Sequence, residues 1–350
     1  MSSRSLVEVH NEWDPLEEMI VGHAVNARVP SPDRGLFAVD YADLYEKASD
    51  IPSGPYDQQV IEETTEDLDA FVKVLESQGV VVRRPDVSDH AARYGTPDWS
   101  ADGEYNYCPR DVLLPIGNTI IETPMTLRTR YFEPFAYRSI LLDYFDSGAN
   151  WISAPKPRLL DETYNLRPSD GQILNNHEPI FDAANVLRVG RHVLYLVSSS
   201  GNMLGLRWLQ RVLGDRYEVQ PLIGLYDGTH VDTTIALIRP GLVVLNSDRV
   251  RPDQVPDLFK SWDVIWCPSV PDPEPASRKL RASTWIGMNL IMINPGLAVV
   301  EATYRPLITA LERHGVQVIP LPLRHARVLS GGLHCVSLDV RRRGSLEDHS

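Results

Sequence analysis

One pattern, an amphipathic helix followed by a short apolar run that closes on proline, recurs five times along this chain and restricts it to folds built from repeated units. In the first copy Leu68, Phe71, Val72 and Leu75 fall at helical spacing, Gly79 ends the helix, and VVVRRP closes at Pro85. The other copies are SILLDYFDSGANWISAP, LRWLQRVLGDRYEVQP, VPDLFKSWDVIWCP and LITALERHGVQVIP, ending at Pro155, Pro221, Pro268 and Pro320. Between copies stand paired apolar runs, DVLLPIGNTIIE, FDAANVLRVGRHVLYLV, VDTTIALIRPGLVVLN and WIGMNLIMINPGLAVV, each broken by a hairpin-type dipeptide. The last copy is followed only by LHCVSLDV, and EEMIVGHAV (17–25) is the run left to pair with it, so the chain ends would close on each other. The expectation is an α/β protein of five pseudo-symmetric ββαβ modules set radially in a single domain, 1–350, with insertions at about 31–58 and 158–179 as covering loops. A doubly wound parallel sheet is the competing architecture, but no GxGxxG or GxxxxGKS/T follows a strand to give it a nucleotide site.

Bulk properties narrow the function. A net charge of -13 argues against nucleic acid or an anionic membrane as partner and favours a small cationic substrate. No apolar run approaches the roughly 20 residues that span a bilayer, and MSSRSLVEVHNEWDP lacks the apolar core of a secretory signal, so a cytoplasmic chain is expected. Cys108, Cys267 and Cys335 are odd in number and far apart, which fits free thiols better than disulfides or a zinc site. A homodimer is the default expectation for an oligomer.

In a radial repeat the start of each first hairpin strand should be buried and apolar, yet polar residues intrude there in every module: Asp111 in CPRD, Asp182 in FDAAN, His230 and Asp232 in THVD, Ser283 in AST, and Cys335 in LHC. Taken singly, each has an ordinary explanation as a small buried side chain, a cap or a turn. Taken together, they would converge if the ring closes. Asp111 and Asp182 begin apolar runs rather than turns, and their burial calls for a cationic partner. His230 and Asp232, two apart on a strand, would share a face. His334 should face away from Cys335, the RRR run at 341–343 should be solvated, and Trp208, Trp262, Trp266 and Trp285 should pack the core.

A thiol needs a nearby base or cation to act as a nucleophile at neutral pH. His230 can supply both, with Asp182 orienting the ring. The further carboxylates Asp111 and Asp232 suit a ligand with delocalised positive charge and several donors, such as a guanidinium. Attack of sulfur on the guanidinium carbon would expel an amine, with His230 alternating as acid and base.

These residues carry a resemblance. FDAAN, THVD, WIGMN and GGLHC followed by DVRR resemble the amidinotransferases of the guanidino-modifying superfamily over nearly the whole chain, most closely the inosamine-phosphate type and more distantly glycine amidinotransferase. The resemblance implies a five-bladed α/β-propeller closed by its terminal strands, with no metal or organic cofactor. It implies ping-pong transfer of the amidino group of L-arginine through Cys335 to an amine acceptor such as scyllo-inosamine 4-phosphate, with release of ornithine. Cys335 would be the nucleophile, His230 the acid and base, Asp182 its partner, and Asp111 and Asp232 the guanidinium grip. Arg249 and Ser283 match positions holding the donor carboxylate. Thr229 replaces the methionine of glycine-using relatives, and Asp227 and Gly228 replace Asn and Pro, which implies a wider mouth. An arginine deiminase-type hydrolase, a glycine-directed transferase and a non-catalytic guanidino binder are the rival readings. Lys156 and Arg158, beside a long insertion, are candidates for an acceptor phosphate.

Overall fold

The computed structural model describes residues 5–166, 172–272 and 279–350; residues 1–4 of the N-terminal segment and 167–171 of the second insertion lie outside that description. Among the described residues, five three-stranded sheets repeat one plan. In four of them an antiparallel hairpin is followed, after a helical connection, by a third strand parallel to the second. These are Leu113–Ile116, Thr119–Glu122 and Asn150–Ser153; Val186–Val189, His192–Leu196 and Glu218–Leu222; Ile235–Arg239, Leu242–Asn246 and Asp263–Cys267; and Ile291–Asn294, Leu297–Glu301 and Gln317–Leu321. In the remaining sheet the N-terminal strand Leu16–Val21 lies between C-terminal Ser337–Arg342, antiparallel, and Val81–Arg83, parallel, with Ile20 opposite Leu338. The leftover run in the repeat pattern is therefore the partner of the last one, and the fold is α/β.

The repeat's punctuation has local causes. Gly117 and Gly190 take φ of 54° and 64° at the tips of two-residue hairpins, the left-handed conformation such turns demand. Pro221 and Pro320 sit inside third strands, which are sheet edges and can spare an N–H. Four connections are α-helices: α1 (Gln58–Ser77), α2 (Arg138–Asp146), α3 (Met203–Leu213) and α4 (Arg305–Arg313). The helix expected in VPDLFKSW does not form; short 3-10 turns at Pro252–Gln254 and Asp257–Phe259 replace it. Pro256 lacks an N–H and pushes Val255 out of the helical region, leaving too few residues before the strand for an α-helix.

The two strands of each hairpin are buried on both faces, and neighbouring residues on such a strand enter different apolar layers. Leu113 packs with Ile20, Leu338 and Tyr144 of α2, whereas Leu114 packs with Val193, Tyr195 and Leu209 of α3. A further layer joins Leu194 and Leu196 to Val243, Leu245, Val300 and Leu307 of α4. Another joins Ile291 and Val299 to Met19, Val21 and Phe71 of α1. Each sheet thus packs on the next, and the last packs on the first. Trp262 and Trp285 are buried as expected, but Trp266 is 38% exposed because it lies on an edge strand. The 31–58 insertion is more than loop: residues 34–41 are helical, and Gly54–Pro55 pairs with Arg28–Val29. Among the described residues no helix is long and apolar enough to cross a membrane.

Where the sheets approach one another, the core turns ionic. Asp339, with no exposure, accepts from Arg110 Nη2 at 2.8 Å, Arg188 Nη2 at 2.7 Å and Arg342 Nε at 2.5 Å. Glu12 binds Arg188 through both oxygens, at 2.8 and 2.9 Å. Burial alone would raise the Asp339 carboxyl, but Arg188, Arg342 and Arg110 hold it well below the usual range. Arg342 is therefore not the solvated residue that RRR implies; of its neighbours, Arg343 is exposed beside Glu17, and half-buried Arg341 pairs with Glu17 and with buried Glu18. Asp339→Ala should lower stability by about 3–5 kcal/mol, because it leaves guanidinium groups buried without their counter-ion. Urea unfolding checks this, and a loss under about 1 kcal/mol would show that the cluster is dispensable.

Candidate active site

Each polar residue singled out from the repeat sits in or beside a single helical turn just before a first strand, a detail the strand-start reading missed. Asp111 lies in the turn Pro109–Val112, with Pro109 at its first position. Asp182 caps Ala183–Asn185, and Ser283 caps Thr284–Met288. Asp232 is in the turn before Ile235, closed by the Thr234 N–H on the Val231 carbonyl at 2.8 Å, and His230 stands just ahead of that turn. Cys335 occupies a turn closed by the Val336 N–H on the Gly332 carbonyl at 3.0 Å. Asp182 therefore does begin a turn and Asp111 lies inside one, and His230 and Asp232 reach the same cavity through a bend rather than through strand alternation.

His230 lies between two carboxylates. Its Nε2 is 3.2 Å from Asp182 Oδ2 and its Nδ1 is 3.6 Å from Asp111 Oδ1. Asp182 is itself fixed by the Thr126 N–H at 2.8 Å. Asp111 is tied from behind by Arg130 at 2.5 Å, leaving its buried Oδ1 without a hydrogen-bond partner. The backbone at His230 has φ 62°, strained for a residue with a β-carbon, and its N–H donates to Ser200 Oγ at 3.2 Å. Burial disfavours the imidazolium, but Asp111, then Asp182 and Asp232, outweigh it and raise the pKa to about 9.

The thiol has a different environment. Cys335 Sγ donates to Asp232 Oδ2 at 3.2 Å and accepts from Asn289 Nδ2 at 3.3 Å. Cys108, burial and the Asp232 carboxylate push this thiol well above its ordinary range. Cys108 and Cys267 are buried free thiols, as expected. Asn289 Oδ1 also accepts the N–H groups of His334, at 2.7 Å, and Cys335, at 3.0 Å. His334, expected to face away from Cys335, instead has its Nδ1 3.1 Å from Asp232 and its Nε2 3.4 Å from Glu12. It links the thiol's carboxylate to the ionic core.

Six of the eight candidate residues, Thr229, His230, Asp232, Arg249, Ser283 and Cys335, line one cavity of about 550 Å³. Asp182 and Asp111 stand behind His230 rather than on the cavity wall. Asp43 and Leu44, from the 31–58 insertion, form part of that wall. Lys156 and Arg158 are elsewhere: Lys156 donates to the Thr123 carbonyl, and Arg158 pairs with Asp98 at 2.7 Å. Asn289, His334, Glu12 and Arg130 were not found from the sequence. The visible signal for Asn289 is a polar residue interrupting the apolar run WIGMNLIMI.

No family model matches the chain. An inosamine-phosphate amidinotransferase of Streptomyces glaucescens is 55% identical over 99% of both chains. An L-arginine:L-lysine amidinotransferase of Pseudomonas savastanoi pv. phaseolicola is 37% identical over 97% of this chain and 95% of its own. The solved structure of an inosamine-phosphate amidinotransferase from Streptomyces griseus superposes with a TM-score of 0.96 at 54% identity, covering 99% of each. Fold and sequence together define an enzyme that transfers amidino groups. The chain belongs to the amidinotransferase family.

The clamp on His230 has a measurable consequence. An NMR titration should place its imidazole midpoint near 9, and Asp182→Asn should lower it. The folded chain holds this proton more tightly than the unfolded one, whose histidine titrates near 6.5. The stability advantage of the native chain over His230→Gln should therefore be full below pH 6.5 and fall as pH rises through about 9. An advantage that grows over that window contradicts the arrangement.

Proposed function

We propose that the protein transfers the amidino group of L-arginine, by way of Cys335, to the amine of an aminocyclitol phosphate such as scyllo-inosamine 4-phosphate, releasing ornithine. The observation that carries this reading is one cavity lined by a thiol, an imidazolium and a carboxylate hydrogen-bonded to that thiol. The named activities of the relatives supply the acceptor class and the arginine donor. The frame for it is a single-domain, five-bladed propeller closed by the terminal strands. Five sheets of like construction, packed each on the next, support that frame. The three free thiols fit a cytoplasmic setting.

Charge balance orders the steps. In the empty cavity the Cys335 proton is held on sulfur by Asp232. An arriving guanidinium pairs with that carboxylate, offsets its field and lets the thiol ionise to solvent. Sulfur then attacks the guanidinium carbon. As the bond from that carbon to the donor Nε breaks, protonated His230 delivers its proton to the departing amine. Ornithine leaves, and the amidino group remains on sulfur. His230, now neutral, takes a proton from the acceptor amine, whose attack returns the thiolate. Asp182 and Asp111 stabilise the imidazolium from behind. No oxidation state changes, so the transfer calls for no electron carrier.

With arginine alone, intact mass should show one amidino adduct on Cys335 and at most one ornithine released per site. Multiple turnovers should require an acceptor, with the aminocyclitol phosphate preferred over glycine or lysine. Cys335→Ala should abolish the adduct and reduce turnover by roughly three orders of magnitude or more. Steady production of citrulline without acceptor would identify a hydrolase instead.

A further inference from the structure

Resting on that reading of donor and acceptor, in which Arg249 matches the position that holds the donor carboxylate, we propose that the same guanidinium is a shared anion site and takes the phosphate of the aminocyclitol in the second half of the cycle. Besides the His230 imidazolium, the cavity wall carries four cationic side chains, Arg249, Lys279, Arg281 and Arg327. Two are already neutralised. Arg281 is bound to Glu104 and, at 2.8 Å, to Asp40; Arg327 grips both oxygens of Asp272 at 2.7 Å. Lys279 rests its ammonium 4.0 Å over the Tyr45 ring.

Arg249 is held differently. Its guanidinium lies 3.6 Å over Tyr226, and Nη1 alone is engaged, by the Thr233 carbonyl at 3.2 Å and the hydroxyls of Thr233 and Thr234 at 2.8 and 2.9 Å. All these partners are neutral, and among the described residues Nε and Nη2 have no hydrogen-bond partner. The result is a positioned, charged fork with a free edge on the cavity, the geometry that matches carboxylate and phosphate oxygens alike. A lysine offers only a point charge.

The substrates supply the second half of the argument. Transfer through one sulfur requires the departing Nε of arginine and the attacking amine of the acceptor to occupy the same place beside the same carbon. In extended arginine, five bonds separate that nitrogen from the carboxylate carbon, roughly 6 Å at ordinary bond lengths. In a 4-phosphorylated cyclitol amine the phosphate is on the ring carbon opposite the amine, which puts phosphorus roughly 6–7 Å from nitrogen at similar bond lengths. Two unlike molecules thus present an anion at nearly the same distance from the reacting nitrogen. A single guanidinium can serve both in turn, and it also prevents both from binding at once.

The test uses Cys335→Ala protein, which binds without reacting. Calorimetry reads displacement of arginine by scyllo-inosamine 4-phosphate and by unphosphorylated scyllo-inosamine. Displacement should be competitive, with the phosphate worth on the order of 10- to 100-fold in affinity. That advantage should vanish when Arg249→Gln is added, survive in part with Arg249→Lys, and persist with Lys279→Met. A phosphate advantage that outlives Arg249→Gln, or that Lys279→Met alone removes, would overturn the shared site. If arginine binds but neither cyclitol does, the acceptor assignment fails and this inference fails with it.

Discussion

A carboxylate without any contact with water, Asp339, is the point on which the structure turns. Three guanidinium groups from three modules converge on it: Arg110 from the turn before Leu113–Ile116, Arg188 from the strand Val186–Val189, and Arg342 from the C-terminal strand. Apolar layers between sheets fix their separation only loosely, since such contacts are not directional. Charge-assisted hydrogen bonds fix both distance and orientation. The same network runs outward through Glu12 and His334 to Asp232 and so to the sulfur of Cys335. Framework and chemistry are parts of one polar chain.

That connection explains a paradox of the site. A nucleophilic thiol is usually helped by positive charge, yet Cys335 is placed against a carboxylate that keeps its proton on. Asp232 in turn is kept ionised despite burial, with His334 as its strongest support. In the proposed reaction the positive charge is left for the substrate to bring. A guanidinium would then be both the reactant and the counter-ion, so that the thiol is activated only when there is something to attack. His230, clamped between Asp182 and Asp111, holds its proton tightly, which is what the proposed reaction asks of the acid that protonates the departing amine.

Much of this was legible from periodicity. The five repeats, the pairing of the chain ends and the polar residues beginning each module follow from apolar spacing and turn dipeptides, which report local backbone preference directly. What was lost is non-local or competitive. The helix expected around Leu258 fails because Pro256 overrides the apolar spacing. His334 was read as pointing away because strand alternation was assumed where the chain makes a turn. Arg342 looked like a surface residue because nothing local announces that Asp339 waits three positions away inside the core. Asp111 and Asp182 stand out in the sequence, but their place beside His230, behind the cavity wall, is set by the folding of distant modules onto one another.

The central claim is that the resting thiol is suppressed by Asp232 and released by a guanidinium. The most direct measurement is the pH dependence of Cys335 alkylation by iodoacetamide, followed by mass spectrometry of the Cys335 peptide, with and without a saturating, unreactive guanidinium compound. The account predicts a thiol that ionises only well above its ordinary pKa of about 8.5 in the free protein and at distinctly lower pH when the guanidinium is bound. A thiolate already present at neutral pH in the free protein would contradict it.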